Sequence, residues 1–224
     1  MAVQDSKFNF LHYLVEDERE GGNLSGNIPP LKTLSKQTGV SITSLREQLS
    51  VARAFGFVDV RPHRGITRLP YRFTPAVQTS LSYAISLDRK YFDYFSDLRR
   101  HIEGNYWFEA VRKLTEEDKA QLRQMVEDAW EKLEGNPIRL PHSEHRQLHL
   151  IIFGRLENPF VNGILEAYWD AYEEVGFSRY TDLEYLKSVW RYHREIVDAI
   201  CNQDFEGGYR LFVDHMDLIQ ELGQ

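Results

Sequence analysis

Four histidines carry the strongest chemical signal in this chain of 224 residues. His145 and His149 lie four apart, so a helix projects both from one face, which continues through Ile152 and Leu156. His193 shares a helical stripe with Val189, Ile196 and Ile200, and His215 shares one with Leu211, Leu218 and Leu222. All these stripes are apolar, so four imidazoles from three helices should point inward. A single histidine on an apolar face is ordinarily a core residue with a hydrogen-bond partner, and one His-x-x-x-His pair is a weak motif. Four together are harder to account for, because unpartnered imidazoles are costly to bury. A divalent ion removes that cost, since neutral imidazole is a good ligand for zinc, nickel or iron.

Arg99 is the second candidate. It lies with Phe92, Phe95 and Ile102 on the inward side of its helix. A buried guanidinium needs an acceptor. A carboxylate such as Glu103 would serve, and so would the carboxylate of a bound effector, held by two parallel N–H bonds. Tyr168, Trp169, Trp190 and Tyr192 could wall a pocket beside these groups or simply fill a core.

The elements that must position these residues read as helices throughout the second part of the chain. The pattern predicts helices over 75–87, 88–114, 116–133, 142–156, 159–175, 183–202 and 205–222. Thr115 with Asp118 forms a capping pair, Gly135-Asn136-Pro137 a turn, and Thr181 and Asp204 are caps. Gly104 and Gly207-Gly208 weaken their helices without ending them. Cys201 is the only cysteine and reads as a small core residue, not a nucleophile. His12, His101 and His142 read as surface or cap residues.

The first part is organised differently. Asp5 or Ser6 can cap a helix over Lys7 to Val15, and the acidic run from Glu16 to Glu20 reads as its solvated end. Leu31 and Leu34 give a second helix an apolar edge that Gly39 breaks. Ser41 caps a third, Ile42 to Phe55, whose apolar face is Ile42, Leu45, Leu49 and Ala52. Thr43, Arg46, Glu47 and Ser50 fall on its other side. A helix with a packed back and a front of hydroxyls and one arginine suits a DNA major groove. Phe57 to Arg61 and Ile66 to Leu69 read as strands around a basic turn, Pro62-His63-Arg64-Gly65, which would form a wing.

Charge supports that reading. Residues 28–72 hold eight Lys/Arg against two acids, a net of +6, in a chain whose overall charge is −7. A basic segment in an acidic protein is what phosphate contact requires. The composition, 42% hydrophobic and 27% charged, is that of a soluble globule. No apolar run is long enough to span a bilayer and no leader opens the chain, so a cytoplasmic protein without a membrane partner is expected.

Two stretches also carry a resemblance. LSKQTGVSITSLREQL followed by GFVDVRPHRG resembles the winged helix-turn-helix of the GntR family of bacterial transcription regulators. Arg99 in Asp97-Leu98-Arg99, His149 with Asn158-Pro159, His193 in HREIVDAI with Asp204 after it, and His215 resemble the FCD ligand-sensing domain of the FadR-like branch. The resemblance implies a metal held by His149, His193 and His215. The family's fourth ligand is an Asp four residues before the first histidine, where this chain has His145. His145 could replace it, Glu144 could turn in instead, or the site could have fewer ligands. The first is preferred, because His145 shares the face of His149. Four neutral imidazoles would leave the metal its full charge and favour an anionic ligand in an open position. Two further departures lie in the front part. Ile42 and Lys32 stand where the family has arginines that meet DNA.

The expected fold class is therefore mainly α. Residues 1–73 form a winged helix-turn-helix of three helices plus a β-hairpin wing, and residues 74–224 an all-α bundle that, as the resemblance implies, dimerises. Candidate DNA contacts are Lys32, Ser41, Thr43, Ser44 and Arg46 on the helices, with His63, Arg64 and Gly65 in the wing. Candidate metal ligands are His145, His149, His193 and His215, with zinc first and nickel or iron as alternatives. Candidate effector contacts are Arg99 and Asn158. The expected partners are double-stranded operator DNA, a small carboxylate effector and a second copy of the chain. The expected function is a ligand-responsive transcription regulator and not an enzyme. A metalloenzyme acting on a small organic acid, or a direct metal sensor, are the alternatives.

Overall fold

The computed structural model describes residues 9–19, 26–176 and 182–221. The expected caps Asp5, Ser6 and Thr181 lie outside the described residues, as does Leu222. The chain divides into two compact units at Ala76/Val77.

In the first unit α1 spans Phe10–Arg19, α2 Leu31–Thr38 and α3 Ile42–Ala54. Strands β1 (Asn27–Ile28), β2 (Val58–Arg61) and β3 (Gly65–Arg68) form a sheet in the order β1-β3-β2. The hairpin was expected, but β1 was not: it pairs Ile28 with Ile66 and Asn27 with Thr67. Gly39 ends α2 in the left-handed conformation, at φ 73°. The Ser41 hydroxyl then accepts the Ser44 N–H at 3.2 Å and starts α3. At the tip of the hairpin His63 and Gly65 both take positive φ, 64° and 81°, which closes the turn. Phe10, Leu34, Leu45, Ala52, Val58 and Ile66 make the core. Ile42 does not join it. It stands 37% exposed on the first turn of α3, beyond the reach of that core.

The second unit is helical: α4 (Thr74–Leu87, which begins at the division), α5 (Lys90–Arg112), α6 (Glu116–Glu134), α7 (His142–Phe153), α8 (Pro159–Gly176), α9 (Leu183–Cys201) and α10 (Phe205–Glu221). The seven expected helices are present, with ends shifted by up to three residues. Thr115 and Asp118 form the expected capping box of α6, and Asp182 caps α9. Gly208 matters for packing: a Cβ there would meet the Trp107 ring at 3.0 Å and the Ala199 methyl at 3.3 Å, so its absence lets α10 approach α5 and α9. Trp107 is fully buried, and its indole N–H donates to the Phe205 carbonyl at 3.0 Å. Cys201 is half-buried against this core, and burial pushes its thiol pKa up, which keeps it unreactive. No helix among the described residues is long and apolar enough to cross a membrane.

Candidate metal centre and candidate DNA interface

Three helices of the second unit bring the four histidines together. α7 supplies His145 and His149, α9 His193 and α10 His215. All four are buried, and one ligand nitrogen from each lies within 4.8 Å of the others. The Nε2 atoms of His149 and His193 face each other at 3.4 Å. Ring centroids are 4.4 Å apart for His193 and His215 and 4.7 Å for His145 and His193. Among the described residues no hydrogen-bond partner reaches Nε2 of His145, Nδ1 of His193 or either nitrogen of His215. Buried polar atoms are nearly always satisfied, so these orphans call for a partner, and the four histidines are grouped closely enough to hold a metal ion. Burial holds all four imidazoles well below their ordinary pKa, and neighbouring histidines or Arg99 add to the effect. They are therefore neutral at pH 7, the form that binds a metal.

Aromatic rings close the cluster. Trp169 lies 4.7 Å from His145 and 4.8 Å from His149, and Trp190 lies 4.9 Å from His193. Tyr192 borders His215, as expected, while Tyr172 and Phe212 are walls that periodicity did not single out. Tyr168 stands over Arg99 instead.

The structure places the two side chains considered for the fourth position differently. Glu144 turns away, its carboxylate taken by Lys132 and by the Ser143 hydroxyl. His145 is the residue that joins the cluster.

Arg99 is buried on α5 and has found an internal partner. Its Nε donates to Glu103 Oε2 at 2.8 Å, one helical turn on, and Glu103 is fully buried. The guanidinium is stacked on Tyr168 and Trp169, 4.5 and 4.6 Å from their centroids. Burial works against its charge, but Glu103 and Tyr168 outweigh it and raise its pKa. Its Nη2 also lies 3.0 Å from His149 Nδ1. Arg99 thus touches the cluster, whereas Asn158 is engaged elsewhere. The Asn158 Oδ1 accepts the N–H groups of Phe160 and Val161 at 3.1 and 3.3 Å, an N-terminal cap of α8, and its amide donates to Tyr106. In the structure Asn158 starts α8.

With this geometry in hand, comparison with known proteins is decisive. A model of the FCD domain family matches residues 95–218. The chain belongs to the FCD domain family. The resemblance carried by Arg99, His149, His193 and His215 is borne out. The FCD match runs from within α5 to within α10 and contains the whole cluster. Among solved structures the chain is similar to Streptococcus agalactiae GntR, at 15% identity and TM-score 0.64 over 95% of both chains. It is also similar to Escherichia coli McbR/YncC, at 20% identity and TM-score 0.52 over 94% of this chain and 95% of that one. A third is Lar, which controls the expression of the Listeria monocytogenes agr system, at 13% identity and TM-score 0.51 over 98% of each chain. These likenesses establish the fold: a winged helix-turn-helix followed by a helical FCD domain. The comparison with curated protein sequences returns no match.

In the first unit Lys32, Ser41, Thr43 and Arg46 are exposed on α2 and α3, and His63, Arg64 and Gly65 at the wing. Ser44 is half-buried. Its hydroxyl accepts from Gln48, whose Oε1 in turn accepts the Phe10 N–H at 2.7 Å and ties α3 to α1. Some of the eight basic residues are neutralised internally: Arg68 pairs with Asp17 at 2.9 Å and Arg61 with Asp59. Among the described residues no ion pair engages Lys32, Arg46 or Arg64. The sequence charge therefore overstates the free positive charge, but the cations of α2, α3 and the wing tip remain available.

Proposed function

We propose that this FCD protein is a ligand-responsive, DNA-binding transcription regulator. The winged unit binds an operator half-site through α3, with Thr43 and Arg46 facing the major groove, Lys32 on the backbone and His63, Arg64 and Gly65 at the wing. Two copies bind a palindrome together, with their recognition helices about one DNA turn apart, roughly 34 Å. The helical unit holds a divalent metal on His145, His149, His193 and His215.

The observation that supports this reading is the group of four buried imidazoles inside the FCD domain, with ring nitrogens that no other side chain among the described residues satisfies. A four-nitrogen donor set fits zinc, nickel or iron(II) better than magnesium or calcium, which require oxygen. The four imidazoles are neutral and the Arg99–Glu103 pair cancels itself, so a divalent ion arrives uncompensated. This favours an anionic effector, a small carboxylate that shares Arg99 with Glu103. Effector binding then shifts the population between DNA-competent and incompetent dimers.

A gel shift with duplex DNA from immediately upstream of the protein's own gene tests the proposal. Retardation should fall steeply as salt rises and should change when zinc and a panel of small acids are added together. DNA binding indifferent to both additions would overturn the sensing role. Turnover of an acid without any DNA binding would make the protein a metalloenzyme instead.

A further inference from the structure

His149 Nδ1 has two suitors. The Glu103 carboxylate oxygen Oε1 lies 3.1 Å from it, and the Arg99 Nη2 group lies 3.0 Å from it. One is an acceptor and the other a donor, so at Nδ1 they favour opposite tautomers. If the ring proton sits on Nδ1, it is donated to Glu103, Nε2 keeps a lone pair, and Arg99 Nη2, which lies 3.4 Å from Nε2, has that lone pair to donate to. If the proton sits on Nε2, Arg99 donates to Nδ1, and the Nε2–H points at His193 Nε2, 3.4 Å away. Only the first arrangement leaves Nε2 able to hold a cation within the cluster. All three groups are buried, so the tautomer is decided among these side chains and not by bulk water.

We infer that Glu103 and Arg99 together form a tautomer switch on His149. An ion held on Nε2 would take up that lone pair and keep the ring proton on Nδ1, hydrogen-bonded to Glu103, and so would free an Arg99 N–H for an incoming carboxylate. The inference rests on the metal-binding reading above and adds to it a physical route by which ion and anion assist each other's binding. Glu103 is a positioning residue: it acts on the ion only through the ring of His149. Reciprocity requires that a carboxylate on Arg99 tighten the ion by the same factor.

The test uses the full-length chain, stripped of metal and labelled with nitrogen-15 at histidine. Long-range proton–nitrogen spectra report the protonation of each ring nitrogen before and after zinc is added. The zinc-loaded protein should show His149 with a protonated Nδ1 and a zinc-bound Nε2. Glu103→Gln should lower zinc affinity by roughly 10- to 100-fold, the usual effect of losing an outer-sphere carboxylate, while the same four rings still respond at saturation. The double variant Arg99→Gln with Glu103→Gln removes both charges and guards against misfolding from an unpaired guanidinium. It should show the same loss. His149 bound through Nδ1, or zinc affinity unchanged in both variants, would overturn the switch while leaving the metal site standing. No response from any of the four rings would overturn the switch and the metal site together.

Discussion

The two units handle their charged and polar groups in opposite ways. In the winged unit Arg46, Lys32 and Arg64 stand in solvent and form no ion pair among the described residues. Such groups are cheap to keep and ready to meet phosphate. In the FCD unit Arg99, Glu103, His145, His149, His193 and His215 are all buried. These groups are costly to desolvate, and each must be accounted for by a neighbour or a ligand. A surface that advertises charge reads a polymer from outside. In the proposed function, the buried polar atoms are there to enclose something small.

The largest effect expected from testing this contrast is in the interior. His149→Ala combined with His193→Ala should abolish zinc binding, measured as metal per chain by elemental analysis, and leave the affinity for unliganded DNA intact. Arg46→Ala should do the reverse. It should cost about 1–3 kcal/mol of binding per half-site in a salt-controlled titration and leave metal content unchanged. Loss of both properties in either variant would erase the division between the units.

The independence of the units can be sharpened by their helix caps. Ser41→Ala should destabilise the winged unit, and Thr115→Ala the FCD unit, each by about 1 kcal/mol. Each substitution should displace only one of two calorimetric transitions. The smallest effect concerns Asp118. The Arg155 guanidinium bonds both of its oxygens at 2.9 Å, and with the Thr115 N–H and hydroxyl this holds its pKa at about 2, below the ordinary 3.8, against the opposing effect of burial. A carboxylate depressed on folding stabilises the native state above pH 3.8, and that stability is lost as pH falls towards 2. Asp118→Asn should therefore flatten the acid limb of the FCD transition in this window. Arg155 is half-exposed, so the flattening should be slight and weaker in salt.

What the sequence disclosed follows from the range of the interactions involved. The helices, the Thr115–Asp118 box and the inward histidines are local periodicities, and spacing alone reveals them. Glu103 is one turn from Arg99 and was in view as a partner, but its contact with His149, 46 residues away, was not. Pairing of Arg68 with Asp17 is similarly remote, so a count of basic residues could not discount it. Strand β1 has two residues, too few for any alternation to show. Ile42 continues an apolar face in projection, yet the core ends before reaching it. Asn158 is a residue type that suits a cap or a ligand contact, and its cap bonds to Phe160 and Val161 are what the fold adds.

Crystals of the zinc-loaded protein, measured on both sides of the zinc absorption edge, test the central claim most directly. One anomalous peak per chain is expected, within bonding distance of a nitrogen from each of His145, His149, His193 and His215. A peak elsewhere, or none at full zinc saturation in solution, would contradict it.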